Sequence, residues 1–98
     1  MFDLTAFQRD LLYVIAGMDR PSGQEVKRRL EEAVGETSHG RLYPNLDTLV
    51  TEAYVEKGEI DRRTNFYQLT PAGQTALRER RAWENQFVDI DDPPEPEL

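Results

Sequence analysis

The chain of 98 residues has no cysteine, a single histidine, one tryptophan and only two lysines. Without cysteine it can form no disulfide, no thiolate zinc site and no thiol redox sensor. His39 alone cannot build a histidine-rich metal site, so we expect neither metal nor cofactor. There is also no Ser/His/Asp or Cys/His set and no phosphate-binding glycine loop. The composition therefore argues against an enzyme.

Long apolar runs are missing as well. No segment approaches the length of a membrane span, and no charged-then-apolar leader precedes the first helical pattern. The length suits one domain with a modest core. We therefore expect a cytoplasmic, nucleoid-associated protein with no membrane partner.

The net charge of −7 is unfavourable for nucleic-acid binding, but it is unevenly distributed. From Glu84 onward there are six acidic side chains and no basic one, whereas residues 1–83 carry thirteen acidic and twelve basic side chains. The acidity is thus mainly a property of the tail. An acidic, lysine-poor surface is typical of a halophilic cytoplasm, where hydrated carboxylates maintain solubility.

Helical periodicity organises the first third of the chain. Thr5 is a candidate N-cap for a helix over about 5–18, and Arg20-Pro21 ends it. Ser22 and Glu25 form a capping-box pattern for a second helix, which Gly35 terminates.

A third helix is predicted to begin at Thr37 or Ser38. Its core positions are Leu42, Leu46, Leu49, Val50 and Ala53. If the helix runs on both sides of Pro44, one backbone hydrogen bond is lost and a kink is expected. The preferred prediction is an irregular first turn around 39–43 and a regular start near Pro44.

Two β-leaning runs at 54–60 and 65–69 enclose the polar turn 61–64, which predicts a hairpin with an arginine-bearing tip. Thr70-Pro71 then starts a fourth helix that should reach about Phe87. The expected fold is mainly α with a small β-hairpin. It divides into a winged helix-turn-helix at 1–70, a C-terminal dimerisation helix at 71–88 and an acidic, disordered tail at 89–98.

The third helix provides the candidate contacts to double-stranded DNA. A recognition helix presents its N-terminal residues to the major groove, where Arg41 can pair with guanine and Asn45 with adenine. The wing tip can reach a phosphate or the adjacent minor groove. The candidate DNA-binding residues are Ser38, His39, Gly40, Arg41, Tyr43, Pro44, Asn45, Thr48, Arg62, Arg63, Thr64 and Asn65.

The near-neutral charge of residues 1–83 leaves an alternative open, namely a winged-helix module that binds another protein and no DNA. For a DNA binder, the acidity predicts a weak or reversed dependence of affinity on salt. Solvent cations held between carboxylates and phosphates would then take part in the interface.

Three segments carry a resemblance to a known family. They are Gly40-Arg41-Leu42-Tyr43-Pro44-Asn45-Leu46-Asp47-Thr48-Leu49, then Val55-Glu56, then Arg62 to Gly73 with Leu69-Thr70-Pro71-Ala72-Gly73 at its end. Over about residues 5–80 the chain resembles the PadR-like winged-helix regulators. The resemblance implies a homodimeric DNA-binding repressor or regulator, with the third helix in the major groove and the hairpin as wing. Ala53-Tyr54 departs from the Gly-Leu of many members.

The fourth helix independently predicts a homodimer. Its apolar stripe leaves Trp83 and Phe87 with little of the chain's own core to cover them, and burial of apolar area against a partner would stabilise pairing. The alternative is that this helix folds back on the chain's own first helix. The candidate interface residues are Phe2, Leu4, Ala76, Leu77, Arg80, Trp83 and Phe87.

Overall fold

The computed structural model describes residues 2–88, so the predicted acidic tail at 89–98 lies outside the described residues. The elements follow in the order helix, helix, helix, strand, strand, helix. They are α1 Ala6–Ala16, α2 Gly23–Val34, α3 His39–Thr51, β1 Val55–Asp61, β2 Thr64–Leu69 and α4 Pro71–Glu84. This order confirms the predicted fold class, four helices with one antiparallel hairpin.

Both of the first two helices begin with a complete capping box. Thr5 and Gln8 exchange side-chain and backbone hydrogen bonds at the start of α1, and Ser22 and Glu25 do the same at the start of α2. The prediction that α1 continues to residue 18 is wrong. It ends at Ala16 because Gly17 caps it, with its N–H directed at carbonyls of the last turn.

The predicted irregular first turn of α3 is also wrong. The helix is regular from His39, Ser38 is its N-cap, and Pro44 lies inside it. The Leu42 N–H already donates to the Ser38 carbonyl at 3.0 Å. Proline here removes the N–H that would donate to Gly40, and the exposed Gly40 carbonyl can be hydrated instead. One lost bond near the N-terminus is therefore tolerated.

The hairpin pairs Val55 with Leu69 and Glu59 with Asn65, and a register shift follows between Glu59 and Asp61. Its turn is only Arg62-Arg63, two residues shorter than predicted. The hairpin is attached to the loop before α2, because the Tyr67 N–H donates to the Pro21 carbonyl at 2.8 Å. The wing is therefore held beside the start of α2.

A single core lies between α1, α2, α3 and the inner face of the hairpin. Its fully buried leucines come from all three helices, and Val55 and Tyr67 extend it onto the hairpin. The buried core residues are Leu4, Phe7, Leu11, Leu12, Ile15, Val26, Leu30, Leu42, Leu46, Leu49, Val55, Tyr67 and Leu77.

The start of α4 is fixed against the end of α3. Thr70 caps the helix by accepting from the Gly73 N–H, and its hydroxyl donates to the Ala53 carbonyl at 2.6 Å. A Cβ at Gly73 would lie 2.3 Å from the Tyr54 carbonyl oxygen, so only glycine allows this approach. The helix ends at Glu84, earlier than the predicted Phe87, and 85–87 form a turn. None of the helices in 2–88 is long and apolar enough to cross a membrane.

Candidate nucleic-acid interface

The N-terminal turn of α3 is exposed. The Ser38 hydroxyl accepts from the Arg41 N–H at 3.2 Å, and Ser38, His39, Gly40 and Arg41 all lie at the surface. The Arg41 guanidinium lies 4.0 Å from the ring centroid of Phe7 in α1. Stacking on this ring gives the cation a defined starting position without neutralising it.

Asn45 is less free than the helical projection predicts. Its side-chain amide donates to the Arg41 carbonyl at 2.7 Å and accepts from the Gln8 side chain at 3.0 Å. The residue is half-buried between α1 and α3. In this conformation Asn45 connects the two helices, with one N–H and one oxygen lone pair of its amide already engaged.

Thr48 and Tyr43 also have partners within the fold. The Thr48 hydroxyl donates to the Pro44 carbonyl at 3.1 Å, whereas Pro44 itself is exposed. The Tyr43 ring lies 5.6 Å from the His39 ring and covers the start of α2 at Gly23. Tyr43 is therefore half-buried, with one edge in the core and the phenol at the surface.

An open depression of about 560 Å³ lies at the start of α3, lined in part by Lys27, His39 and Arg41. Glu31 of α2 accepts from the N–H of Thr37, one of the lining residues, at 2.8 Å. This hydrogen bond lowers the pKa of the Glu31 carboxyl, and the nearby Lys27 and His39 lower it further. The depression thus combines Lys27, His39 and Arg41 with one carboxylate, that of Glu36, at a helix N-terminus.

The wing presents Arg62 and Arg63 to solvent at its tip. The Asp61 carboxylate accepts from the Arg63 N–H at 2.9 Å, which fixes the two-residue turn. This backbone hydrogen bond lowers the pKa of the Asp61 carboxyl. Thr64 and Asn65 follow at the start of β2 and line a cavity together with Arg63 and Tyr43. The wing and α3 therefore border the same surface.

Acidic side chains adjoin this surface. Asp47 of α3 is exposed and lies 3.9 Å from the Lys57 ammonium of β1. Among residues 2–88 there is no group of three or more histidine, cysteine or acidic side chains that could hold a metal ion.

The candidate dimer residues divide into two groups. Leu4, Ala76 and Leu77 are buried in the chain's own core and have little exposed surface, so their place in a dimer interface stays a prediction. Phe2, Trp83 and Phe87 are exposed, and the Trp83 ring makes edge contacts with the Phe2 and Phe87 rings, each at a centroid distance of 5.1 Å. We call them the aromatic cluster.

Arg80 contacts two rings of the aromatic cluster. Its guanidinium lies 4.9 Å from the Trp83 ring and 5.2 Å from the Phe2 ring, and its Nε lies 3.4 Å from a Glu84 carboxylate oxygen. The aromatic cluster is held in place by these contacts and remains uncovered.

Sequence reasoning missed three residues that shape the interface. Gln8 holds Asn45, Phe7 carries the Arg41 guanidinium, and Tyr67 of β2 lines the cavity beside α3. Gln8 gave one signal, as the third residue after the Thr5 N-cap. Its contact with Asn45 depends on how α1 crosses α3, which periodicity does not specify.

Three packed helices, an exposed N-terminal turn on the third and an arginine-tipped hairpin beside it define a winged-helix DNA-binding protein. The match to a family model is specific. The chain belongs to the transcriptional regulator PadR-like family, whose model matches residues 11–79. It is accordingly a transcriptional regulator and not an enzyme.

Solved structures agree with this assignment. RosR of H. salinarum, in crystals grown from NaBr, is 49% identical with a TM-score of 0.81, over 89% of this chain and 80% of RosR. RosR in the RosR-S1 complex is 48% identical with a TM-score of 0.83, over 93% of this chain and 82% of that one.

FabT of Streptococcus pneumoniae in complex with DNA is 23% identical with a TM-score of 0.71, over 95% of this chain and 64% of FabT. That likeness shows the fold alone. No curated protein sequence matches the chain significantly.

Proposed function

We propose that the chain acts as a homodimeric repressor that binds a nearly palindromic duplex, with one α3 in the major groove of each half-site. The observation that carries the proposal is the exposed first turn of α3 with the wing arginines beside it. A two-fold dimer would place its half-sites about one helical turn apart. The solved FabT complex contains DNA, and its fold is shared by this chain.

Base recognition is assigned first to Arg41. Its guanidinium is exposed, stacked on Phe7 and close to the N-terminus of α3, and it can pair bidentately with guanine O6 and N7. Asn45 is a second reader of adenine, after release of its bond from Gln8. The energy of that release is offset when the base supplies an equivalent donor and acceptor.

The remaining candidates position the duplex. Ser38, His39, Gly40, Tyr43, Pro44 and Thr48 surround the start of α3, and Arg62, Arg63, Thr64 and Asn65 form the wing tip. Hydroxyls, amides and backbone N–H groups of this kind contact phosphate and sugar. Arg62 and Arg63 are free to reach the backbone or the minor groove.

Dimerisation is assigned to α4 through the aromatic cluster and Arg80. Three large rings exposed together form an apolar patch that solution monomers rarely carry. In a two-fold interface each cluster would be covered by the equivalent surface of the partner.

The acidity of the chain adds two elements to the proposal. Solvent cations between carboxylates such as Asp47 and the DNA phosphates would reduce their repulsion. A halophilic, cytoplasmic, nucleoid-associated setting suits this surface, and the RosR relative from H. salinarum fits it.

The test is a mobility-shift series with a duplex that the wild-type protein selects from random sequence. We expect Arg41→Ala to weaken binding to the selected duplex by about 1–3 kcal/mol and to relax the preference at one base pair per half-site. Arg29→Ala is the matched control, because Arg29 is paired with Glu32 at 2.6 Å on the exposed side of α2. Unchanged affinity and preference in Arg41→Ala would refute the role of α3.

The alternative function, a winged-helix module that binds protein only, predicts no retardation of any duplex at any salt concentration. Membership of a transcriptional regulator family favours the DNA-binding function.

A further inference from the structure

A second cavity lies between the wing, α3 and the start of α2. It has a volume of about 320 Å³ and is lined by Ser22, Gly23, Tyr43, Arg63, Asn65 and Tyr67, among others. Within residues 2–88 its lining includes no carboxylate, although acidic residues outnumber basic ones in the chain. Glu25 satisfies the Ser22 N–H in the capping box and does not line the cavity.

Tyr67 lines this cavity, and the structure of the chain alone does not explain its hydroxyl group. The residue is 2% exposed, and its hydroxyl has no hydrogen-bond partner in the described part of the chain. Every buried side-chain polar atom in that part is satisfied, so the Tyr67 hydroxyl must keep some contact with solvent, which the cavity provides. Burial raises the pKa of Tyr67, with Asp47 and Tyr43 contributing, so the phenol stays protonated and remains a donor.

Other donors surround the same space. The Tyr43 phenol covers the first turn of α2, since a Cβ at Gly23 would lie 2.9 Å from its oxygen. The first-turn N–H groups of α2 have no carbonyl partner inside their own helix. Arg63 contributes a guanidinium and Asn65 an amide from the wing. The donors therefore outnumber the acceptors, and one cation is present.

We propose that this cavity holds one phosphate group and that the Tyr67 hydroxyl donates a hydrogen bond to one of the phosphate oxygens. Two sources of that group share the chemistry, a backbone phosphate of the bound duplex and free inorganic phosphate. The position between α3 and the wing favours the backbone phosphate, and that source rests on the proposed function. Such a contact would anchor α2 and the wing to one point of the DNA backbone and so fix how α3 enters the groove.

The first arm of the test compares wild type with Tyr67→Phe on the selected duplex. The fold should be unaffected, because phenylalanine keeps the packing and the lost hydroxyl has no partner in the free protein. We expect affinity to fall about tenfold, as for the loss of a hydrogen bond to a charged group. Tyr13→Phe is the matched control, since Tyr13 lines a different cavity. Thermal unfolding verifies that each variant is folded.

The second arm neutralises the DNA phosphates one at a time as methylphosphonates. At one position per half-site, the methylphosphonate should lower the affinity of the wild-type protein for the duplex about tenfold. At the same position it should cause no further loss of affinity for Tyr67→Phe. The third arm titrates inorganic phosphate and follows the tyrosine ring signals by NMR. A saturable shift in wild type that is absent in Tyr67→Phe, without coupling to a DNA phosphate, assigns the cavity to free phosphate.

The proposal is overturned if Tyr67→Phe couples to no methylphosphonate and inorganic phosphate produces no saturable shift. Failure of the proposed function is a separate result, because wild type would then bind no duplex while the phosphate titration still reports on the cavity.

Discussion

At the scale of single residues, Ala53 has an unfavourable backbone conformation immediately after α3. Its φ of 63° lies in the left-handed region, where its N–H donates to Val50 and the Tyr54 N–H donates to Leu49. Helices commonly end this way, but usually with glycine. With alanine in place of glycine at this point, the left-handed conformation carries a steric cost.

We expect Ala53→Gly to raise the free energy of unfolding by about 0.5–1 kcal/mol, because it removes a steric penalty of roughly 1–2 kcal/mol and adds some unfolded-state entropy. Chemical denaturation provides the measurement. Ala82→Gly, inside α4, is the control with the opposite expected sign, a loss of about 0.5–1 kcal/mol. A decrease in stability for Ala53→Gly would show that the alanine side chain contributes contacts that outweigh the strain.

Residues whose roles depend on local sequence spacing could be predicted, and residues whose roles depend on how two helices cross could not. The Thr5 and Ser22 caps follow from spacing alone and are confirmed. The bond between Gln8 and Asn45 joins residues 37 positions apart, so it depends on helix packing that no local pattern contains. The same holds for the stacking of Arg41 on Phe7.

At the scale of elements, the connection from α2 to α3 is fixed by one carboxylate. Glu31, in the last turn of α2, accepts from the Thr37 N–H immediately before the Ser38 cap. The bond lowers the pKa of Glu31 from its ordinary value of 4.5. Because the folded pKa is the lower one, the stabilisation is present above pH 4.5 and is lost as the pH falls through the folded value.

We therefore expect Glu31→Gln to flatten the loss of stability on acidification below pH 4.5, because the glutamine does not titrate. Urea midpoints measured from neutral to acidic pH give this slope. Glu32→Gln is the control, since the Glu32 carboxylate is exposed and pairs only with Arg29 among the described contacts. Equal acid slopes for wild type and Glu31→Gln would contradict the role of this bond.

The elements also show where sequence patterns mislead. Pro44 suggested a broken first turn, yet α3 tolerates it because only the Gly40 carbonyl loses a partner. Gly17 ends α1 before the Arg20-Pro21 signal is reached. At both places the extent of the helix depends on individual backbone hydrogen bonds. The amino-acid composition does not show which of these hydrogen bonds can be lost without ending the helix.

At the scale of the whole molecule, large apolar side chains are exposed at the end of α4 and in the turn that follows it. Phe87 is 68% exposed and Trp83 is 40% exposed, although both belong to an ordered ring cluster. The sequence predicted this exposure but assigned Leu4, Ala76 and Leu77 to the interface as well. Those three are buried within the chain, and α4 contacts α1.

We expect Phe87→Ser to shift the dimer towards monomer, since each buried phenylalanine contributes about 1.5–3 kcal/mol and a two-fold interface contains two copies. Sedimentation equilibrium measures the shift. Ile60→Ser is the matched control, because Ile60 on the wing is 55% exposed and lies outside the aromatic cluster. A wild-type monomer, or a Phe87→Ser dimer as tight as wild type, would refute the assignment of α4.

The overall charge of the chain distinguishes it from strongly basic DNA-binding proteins. Residues 1–83 are almost neutral, and Asp47 adds negative charge to α3, the proposed recognition helix. We therefore expect counterion release to contribute little to binding, and contacts to bases and a few fixed phosphates to contribute most of it.

The salt dependence of affinity for the selected duplex tests this account most directly. It is measured by fluorescence anisotropy of the wild-type protein over about a tenfold range of KCl, with a scrambled duplex as control. We predict a flat or rising affinity for the selected duplex with added salt, and a preference over the scrambled duplex at every concentration. A steep fall in affinity, with the preference lost, would contradict recognition by α3 and leave only nonspecific phosphate binding.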